Sequence, residues 1–162
     1  MILGIISDTH DNLPKVREAM GTFAGRGVDR LIHCGDFIAP FVVKIIGEAG
    51  YKDCIGVYGN NDGEWLWMSK LFGAVGKIYK PPVFVDDVCG LRVAVLHEPM
   101  PDDVMAALPV DLVAFGHTHE TVIRPGRPLV VNPGECCGYL SGSATVAVVD
   151  TEKMEAELIE LP

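Results

Sequence analysis

Ile2-Leu3-Gly4-Ile5-Ile6-Ser7-Asp8-Thr9-His10 opens as an apolar run and ends on a carboxylate and an imidazole two residues apart. The run has the length and content of a strand buried on both faces. A helix is expected next, over about Leu13 to Ala24, because Val16, Met20, Phe23 and Ala24 recur at helical spacing. Asp11 or Asn12 can cap it, with Pro14 in its first turn. Strand, polar turn and helix together form the unit of an alternating α/β chain.

The unit recurs down the first half. Strand Arg30–His33 leads to a helix near Pro40–Ala49 stopped by Gly50, and strand Asp53–Tyr58 precedes the short apolar block Trp65–Phe72. The second half is richer in strands: Val83–Val85 and Leu91–Leu96 around the turn Asp86–Gly90, then a short helix over Asp102–Leu108 and strand Leu112–Phe115. Thr121–Arg124 and Leu129–Asn132 bracket Pro125-Gly126-Arg127, and Ala144–Val149 and Met154–Leu161 flank Asp150–Lys153. Crossover strands first and antiparallel strands later imply a mixed α/β fold of two packed β-sheets, a β-sandwich flanked by helices. No linker divides the chain, so residues 1–162 are expected to form one domain.

Polar clusters follow five of the apolar runs: Asp8-Thr9-His10, Gly35-Asp36, Gly59-Asn60-Asn61-Asp62, His97 and Gly116-His117-Thr118-His119. Taken singly, Asp36 reads as a helix cap, Gly59–Gly63 as a turn and His97 as a strand-end histidine. Paired imidazoles at a strand end, His117 and His119, have few structural uses. Together the clusters point to one shared rim, since ligand-type residues at the ends of several strands can converge on one sheet edge. In an extended backbone Asp8 and His10 would point the same way, and so would His117 and His119. Carboxylates with neutral imidazoles suit transition-metal dications better than calcium or magnesium. Gly35 permits a sharp turn that aims Asp36, and Asn60 offers a neutral amide oxygen.

In this order the motifs D-x-H, G-D, G-N-x-D, H and G-H-x-H resemble those of the calcineurin-like metallophosphoesterase family. The likeness runs from about Ile2 to Pro133. Its small size and Asn132-Pro133-Gly134 look most like the minimal single-domain phosphodiesterase branch. The resemblance implies two divalent transition-metal ions, manganese foremost, with iron, nickel or zinc as alternatives. One would be held by Asp8, His10, Asp36 and His119, the other by Asp36, Asn60, His97 and His117, with Asp36 bridging. It further implies that a hydroxide between the ions attacks phosphorus in line, with both ions and the Asn60 amide stabilising the charge. His33 would be a packing or supporting residue. Asp62 and backbone carbonyls are candidates to hold the free nitrogens of the liganding rings.

The pattern departs from larger relatives at Asn61, where they carry a histidine that protonates the leaving group. An amide cannot act as a general acid. The expected activity is therefore phosphodiesterase, readily seen on aryl diesters, with weak monoesterase activity. Glu98 beside His97 is a second departure, which either repels anionic substrates or points to solvent. A non-catalytic scaffold, as in the retromer subunit of the same fold, is the alternative. Retention of all seven ligand positions speaks against it.

The formal net charge of −9 disfavours a nucleic-acid partner, a small DNA nuclease included, and leaves a small phosphorylated substrate. The absence of a basic leader or a membrane-length apolar stretch, and five cysteines without C-x-x-C, lead us to expect a cytoplasmic protein with reduced thiols and no membrane partner. Trp65–Phe72 suits a helix packed on the sheet. Being apolar nearly all round, it also suits a homo-oligomer interface or a hydrophobic wall of the substrate cleft.

Overall fold

The computed structural model describes residues 1–162. In chain order its elements are β1 (Ile2–Ile6), α1 (Leu13–Gly25), β2 (Arg30–His33), α2 (Phe41–Glu48), β3 (Cys54–Val57), α3 (Trp65–Phe72), β4 (Gly76–Tyr79), β5 (Val83–Val88) and β6 (Leu91–Val95). There follow α4 (Asp102–Ala106), β7 (Leu112–Ala114), β8 (Thr121–Arg124), β9 (Leu129–Pro133), β10 (Thr145–Asp150) and β11 (Glu155–Glu160). One sheet has the order β11-β10-β1-β2-β3-β4 and the other β5-β6-β7-β9-β8. Strands β1 to β4 are mutually parallel, as are β6, β7 and β9. The mixed α/β sandwich expected from the sequence is the observed architecture.

Side-chain alternation sorts β1 between two cores. Leu3 and Ile5 turn inward and meet Ile32, Val95, Leu112 and Val131 between the sheets. Ile6 belongs to the other core, where α1 and α2 bring Val16, Phe23, Val42 and Ile46 against the outer face. Each of these fully buried side chains contributes about 1.5–3 kcal/mol of transfer free energy. On the far face of the second sheet Met105 of α4 packs on Leu96, Val113 and Phe115. Asn12 caps α1, its side chain accepting from the Lys15 amide, with Pro14 in the first turn.

Three elements differ from expectation. Strand β4 was not anticipated: Gly76-Lys77-Ile78-Tyr79 is a short edge strand with little alternation, and its identity comes from pairing with β3. Strand β5 runs past a bulge to Val88, so the hairpin closes on Cys89 and Gly90, both at positive φ, rather than over Asp86–Gly90. Helix α4 ends at Ala106, short of the expected Leu108. No helix is long and apolar enough to cross a membrane.

Candidate metal centre

The C-terminal ends of β1, β2, β3, β6 and β7 deliver Asp8, Asp36, Asn60, His97 and His117 to one rim, the position where strand ends of α/β sheets present their ligands. Hydrogen bonds tie the two sheets together there: the Cys136 amide donates to Ser7 O (2.9 Å), the Cys137 amide to Asp8 O (3.1 Å) and the His117 amide to Asp8 Oδ2 (3.0 Å).

The backbone is not extended at these positions, which corrects the sequence expectation. Asp8, His10, Asp36, His117 and His119 lie at φ of 50°, 41°, 58°, 68° and 59°, in the left-handed region. Each such residue costs on the order of 1–3 kcal/mol and persists only where its surroundings hold it. The Asp8 amide donates to Gly35 O and the His10 amide to Asp36 O, both at 3.0 Å, so the first two loops lock each other. The motif glycines make room. A Cβ on Gly59 would collide with the Asp36 carboxylate, and one on Gly116 with Ser7 Oγ and the Asp8 carboxylate.

Two groups of donor atoms result. In the first, His10 Nε2 lies 3.4 Å from Asp36 Oδ2 and 3.9 Å from Asp8 Oδ1, and His119 Nε2 lies 3.5 Å from Asp8 Oδ1. In the second, Asn60 Oδ1 lies 2.7 Å from His97 Nε2 and 2.9 Å from His117 Nδ1, while His97 Nε2 is 3.5 Å from Asp36 Oδ1. The two oxygens of Asp36 face one group each.

The donors fit dications. Asp8 Oδ1 and His10 Nε2 are buried without any hydrogen-bond partner, and burial pushes the Asp8 carboxyl above the usual carboxylate range. A buried carboxylate with one oxygen unmatched is costly, and a cation among these atoms removes that cost. The rings agree. His119 Nδ1 is 2.7 Å from Glu135 Oε2 and His97 Nδ1 is 2.8 Å from Cys34 O. With Nδ1–H donating outward, each ring turns Nε2 inward, among oxygen lone pairs and other ring nitrogens. A cation is the partner such a set lacks.

Glu135 escaped the sequence reading. It is fully buried and accepts from Cys137 Sγ (3.0 Å) and the amides of Tyr139 (3.1 Å), Leu140 (2.9 Å) and Ser141 as well as from His119. Burial pushes its pKa up, but these donors outweigh it and hold the carboxyl at about 2. With both oxygens already occupied, the cluster His119, Glu135 and Cys137 is a support for His119 rather than another ion site. The signal was present: Glu135 follows β9 as Asp8 follows β1. Burial raises the Cys137 thiol to about 12 and Cys136 further, so neither is a thiolate nucleophile.

Other residues brace the loops. Asp62 accepts from the amides of Gly59 (2.7 Å), Ile38 (2.8 Å) and Asp36 (3.2 Å), and holds no histidine. Gly35 N–H donates to His33 Nδ1 (3.2 Å), which leaves Nε2–H to donate to Thr9 Oγ1 (3.2 Å), whose hydroxyl donates to Asp36 O (3.2 Å). His33 is thus a neutral supporting residue stacked on Phe37. Asn132 donates to Gly116 O (3.1 Å) and Thr118 Oγ1 (3.0 Å), fixing the His117 loop. The Asn61 side chain donates to Asp36 Oδ2 at 2.7 Å. Beside Asn60 and His97 opens a cleft of about 450 Å³ lined by Trp65, Pro82 and the exposed Glu98.

The sequence model of the calcineurin-like phosphoesterase superfamily domain matches residues 1–154. The chain belongs to that superfamily. Among its relatives, the phosphodiesterase MJ0936 of Methanocaldococcus jannaschii is 37% identical over 170 aligned positions, covering 99% of each chain. The solved structure of an archaeal phosphodiesterase superposes with a TM-score of 0.89 at 39% identity, over 99% of this chain and 100% of that one. YfcE, a phosphoesterase from E. coli, superposes at 0.70 with 22% identity over the whole of both chains, a likeness of fold. As a calcineurin-like phosphoesterase, the chain is a metal-dependent enzyme whose clustered histidines and carboxylates suit a binuclear centre.

Proposed function

We propose that the protein is a phosphodiesterase of small substrates, acting as one domain with two divalent ions. Asp8, His10, Asp36 and His119 would hold one ion, and Asp36, Asn60, His97 and His117 the other. The observation that carries this reading is the division of the Asp36 oxygens between the two donor groups. Diester chemistry is supported by the phosphodiesterase relative, 37% identical over 99% of the chain.

When bound, the ions supply Lewis acidity, acidifying water and drawing charge from the phosphoryl oxygens. The chain's own residues do the rest. Glu135 and the Cys34 carbonyl fix which nitrogen His119 and His97 present. The Asn60 amide, at the mouth of the cleft, can donate to a phosphoryl oxygen as charge develops there. Asn61 offers an amide hydrogen and no transferable proton, so the leaving oxygen must depart unaided. That favours activated aryl esters.

Manganese is proposed as the working ion, because four imidazoles are joined by carboxylates and an amide with no thiolate among them. Free, mostly buried cysteines support a reducing, cytoplasmic setting. The net charge of −9 supports a small substrate over nucleic acid. Leu66, Trp67 and Leu71 stay exposed on α3 and support a homo-oligomer, which mass in solution would test.

The direct test is turnover by manganese-reconstituted protein on a panel of mono- and diesters, with Asp36→Asn and His117→Ala as controls. Aryl diesters should be hydrolysed best, and both variants should lose at least a hundredfold. A metal-loaded protein that hydrolyses nothing in the panel overturns the reading.

A further inference from the structure

Trp65 is half exposed at 47% yet firmly held. Its indole N–H donates to Asp62 O (2.7 Å), its carbonyl accepts from the Tyr58 hydroxyl (3.1 Å), and its ring stacks on Tyr58 at 5.1 Å and 23°. Asp62 also receives the Asp36 and Gly59 amides, so one residue anchors both Trp65 and the Asp36 loop. An aromatic ring fixed in position but open to solvent has little to do in folding alone. It lines the cleft that opens off Asn60 and His97, where Pro81, Pro82, Leu96 and Met100 supply further apolar wall.

At about 450 Å³ the cleft has the volume of a small-molecule site. Two charges flank it: Lys80, whose ammonium lies 5.3 Å from the Trp65 ring centre, and the exposed Glu98. We propose that this cleft is the subsite for one ester group of the diester, and that the group is a planar, uncharged aromatic ring, aryl or nucleobase, packed against Trp65. The inference rests on the phosphodiesterase reading and adds the substrate class. Continuity with Asn60 and His97 fixes the occupant: whatever fills the cleft is joined to the phosphorus held beside it. Lys80 and Glu98 offset one another, so the wall offers no net charge to draw in a ring that carries one.

Two measurements test it. In manganese-loaded protein, competitive inhibition by phenyl phosphate should be at least tenfold tighter than by methyl phosphate. Trp65→Leu should bring the two within about threefold by weakening phenyl phosphate alone, and Trp65→Phe should keep most of the difference. Equal weakening of both inhibitors by Trp65→Leu, or an unchanged ratio, overturns the proposal. The second readout needs neither metal nor turnover. In a Trp67→Phe background, adenosine titrated into metal-free protein should quench Trp65 emission along a saturating curve, with ribose inert. A linear, non-saturating quench overturns the subsite. Loss of all diester turnover beside a saturating quench would instead remove the phosphodiesterase reading and leave the ring site standing.

Discussion

Glu135 Oε2 lies 2.7 Å from Nδ1 of His119, and that contact leaves Nε2 as the nitrogen that looks into the centre. Carboxylates behind liganding histidines raise ligand basicity and fix the ring. Glu135→Gln should therefore weaken manganese binding by about 10–100-fold. Titration calorimetry checks it. An unchanged affinity would make Glu135 a purely structural brace of the amides of Tyr139, Leu140 and Ser141.

Asn61 donates to Asp36 Oδ2 at 2.7 Å and has no proton to give a leaving group. The wild-type protein should hydrolyse aryl diesters at least tenfold faster than alkyl diesters, and Asn61→His should narrow that gap by speeding the alkyl esters. Steady-state kinetics on matched p-nitrophenyl and alkyl mono- and diesters decide the point. Comparable wild-type rates on alkyl and aryl monoesters would contradict it.

The unpartnered Asp8 Oδ1 and His10 Nε2 mean that the metal-free chain carries unrelieved buried polarity. Manganese at about a hundred times its dissociation constant should add about 2.7 kcal/mol of stability for each ion bound. For a chain of this size that is roughly 5–11 °C in Tm per ion. Differential scanning calorimetry with and without a chelator measures it. Asp8→Asn should abolish most of the response.

His33 is buried between Gly35 N–H and Thr9 Oγ1, and burial holds its pKa well below the ordinary value of 6.5. Above about pH 6.5 both folded and unfolded forms are neutral, so the group adds no pH dependence. Below that, the unfolded chain takes up a proton that the folded chain refuses, and stability falls at up to about 1.4 kcal/mol per pH unit. Urea midpoints of metal-free protein at pH 7.5 and 5.5 should therefore separate more for the wild type than for His33→Asn. Equal separations would contradict the assignment.

Most of the site was legible because strand ends are. Asp8, Asp36, Asn60, His97 and His117 each follow an apolar run that a buried strand requires, and parallel strands deliver their ends to one side. Two things were not legible. The left-handed backbone at Asp8, His10, Asp36, His117 and His119 depends on hydrogen bonds between loops remote in sequence, such as His10 N–H to Asp36 O. Glu135 follows an apolar run as the other site residues do, but its role exists only once residues 137–141 fold back on it. Strand β4 was hidden for a similar reason, since four edge residues acquire their identity from the neighbour they pair with.

The central claim is that two ions share the Asp36 carboxylate. Electron paramagnetic resonance of protein loaded with two equivalents of manganese tests it most directly. The wild type should show a spin-coupled pair, and Asp36→Asn only isolated ions. Isolated manganese in the wild type at full loading, or saturation at a single ion per chain, would contradict it.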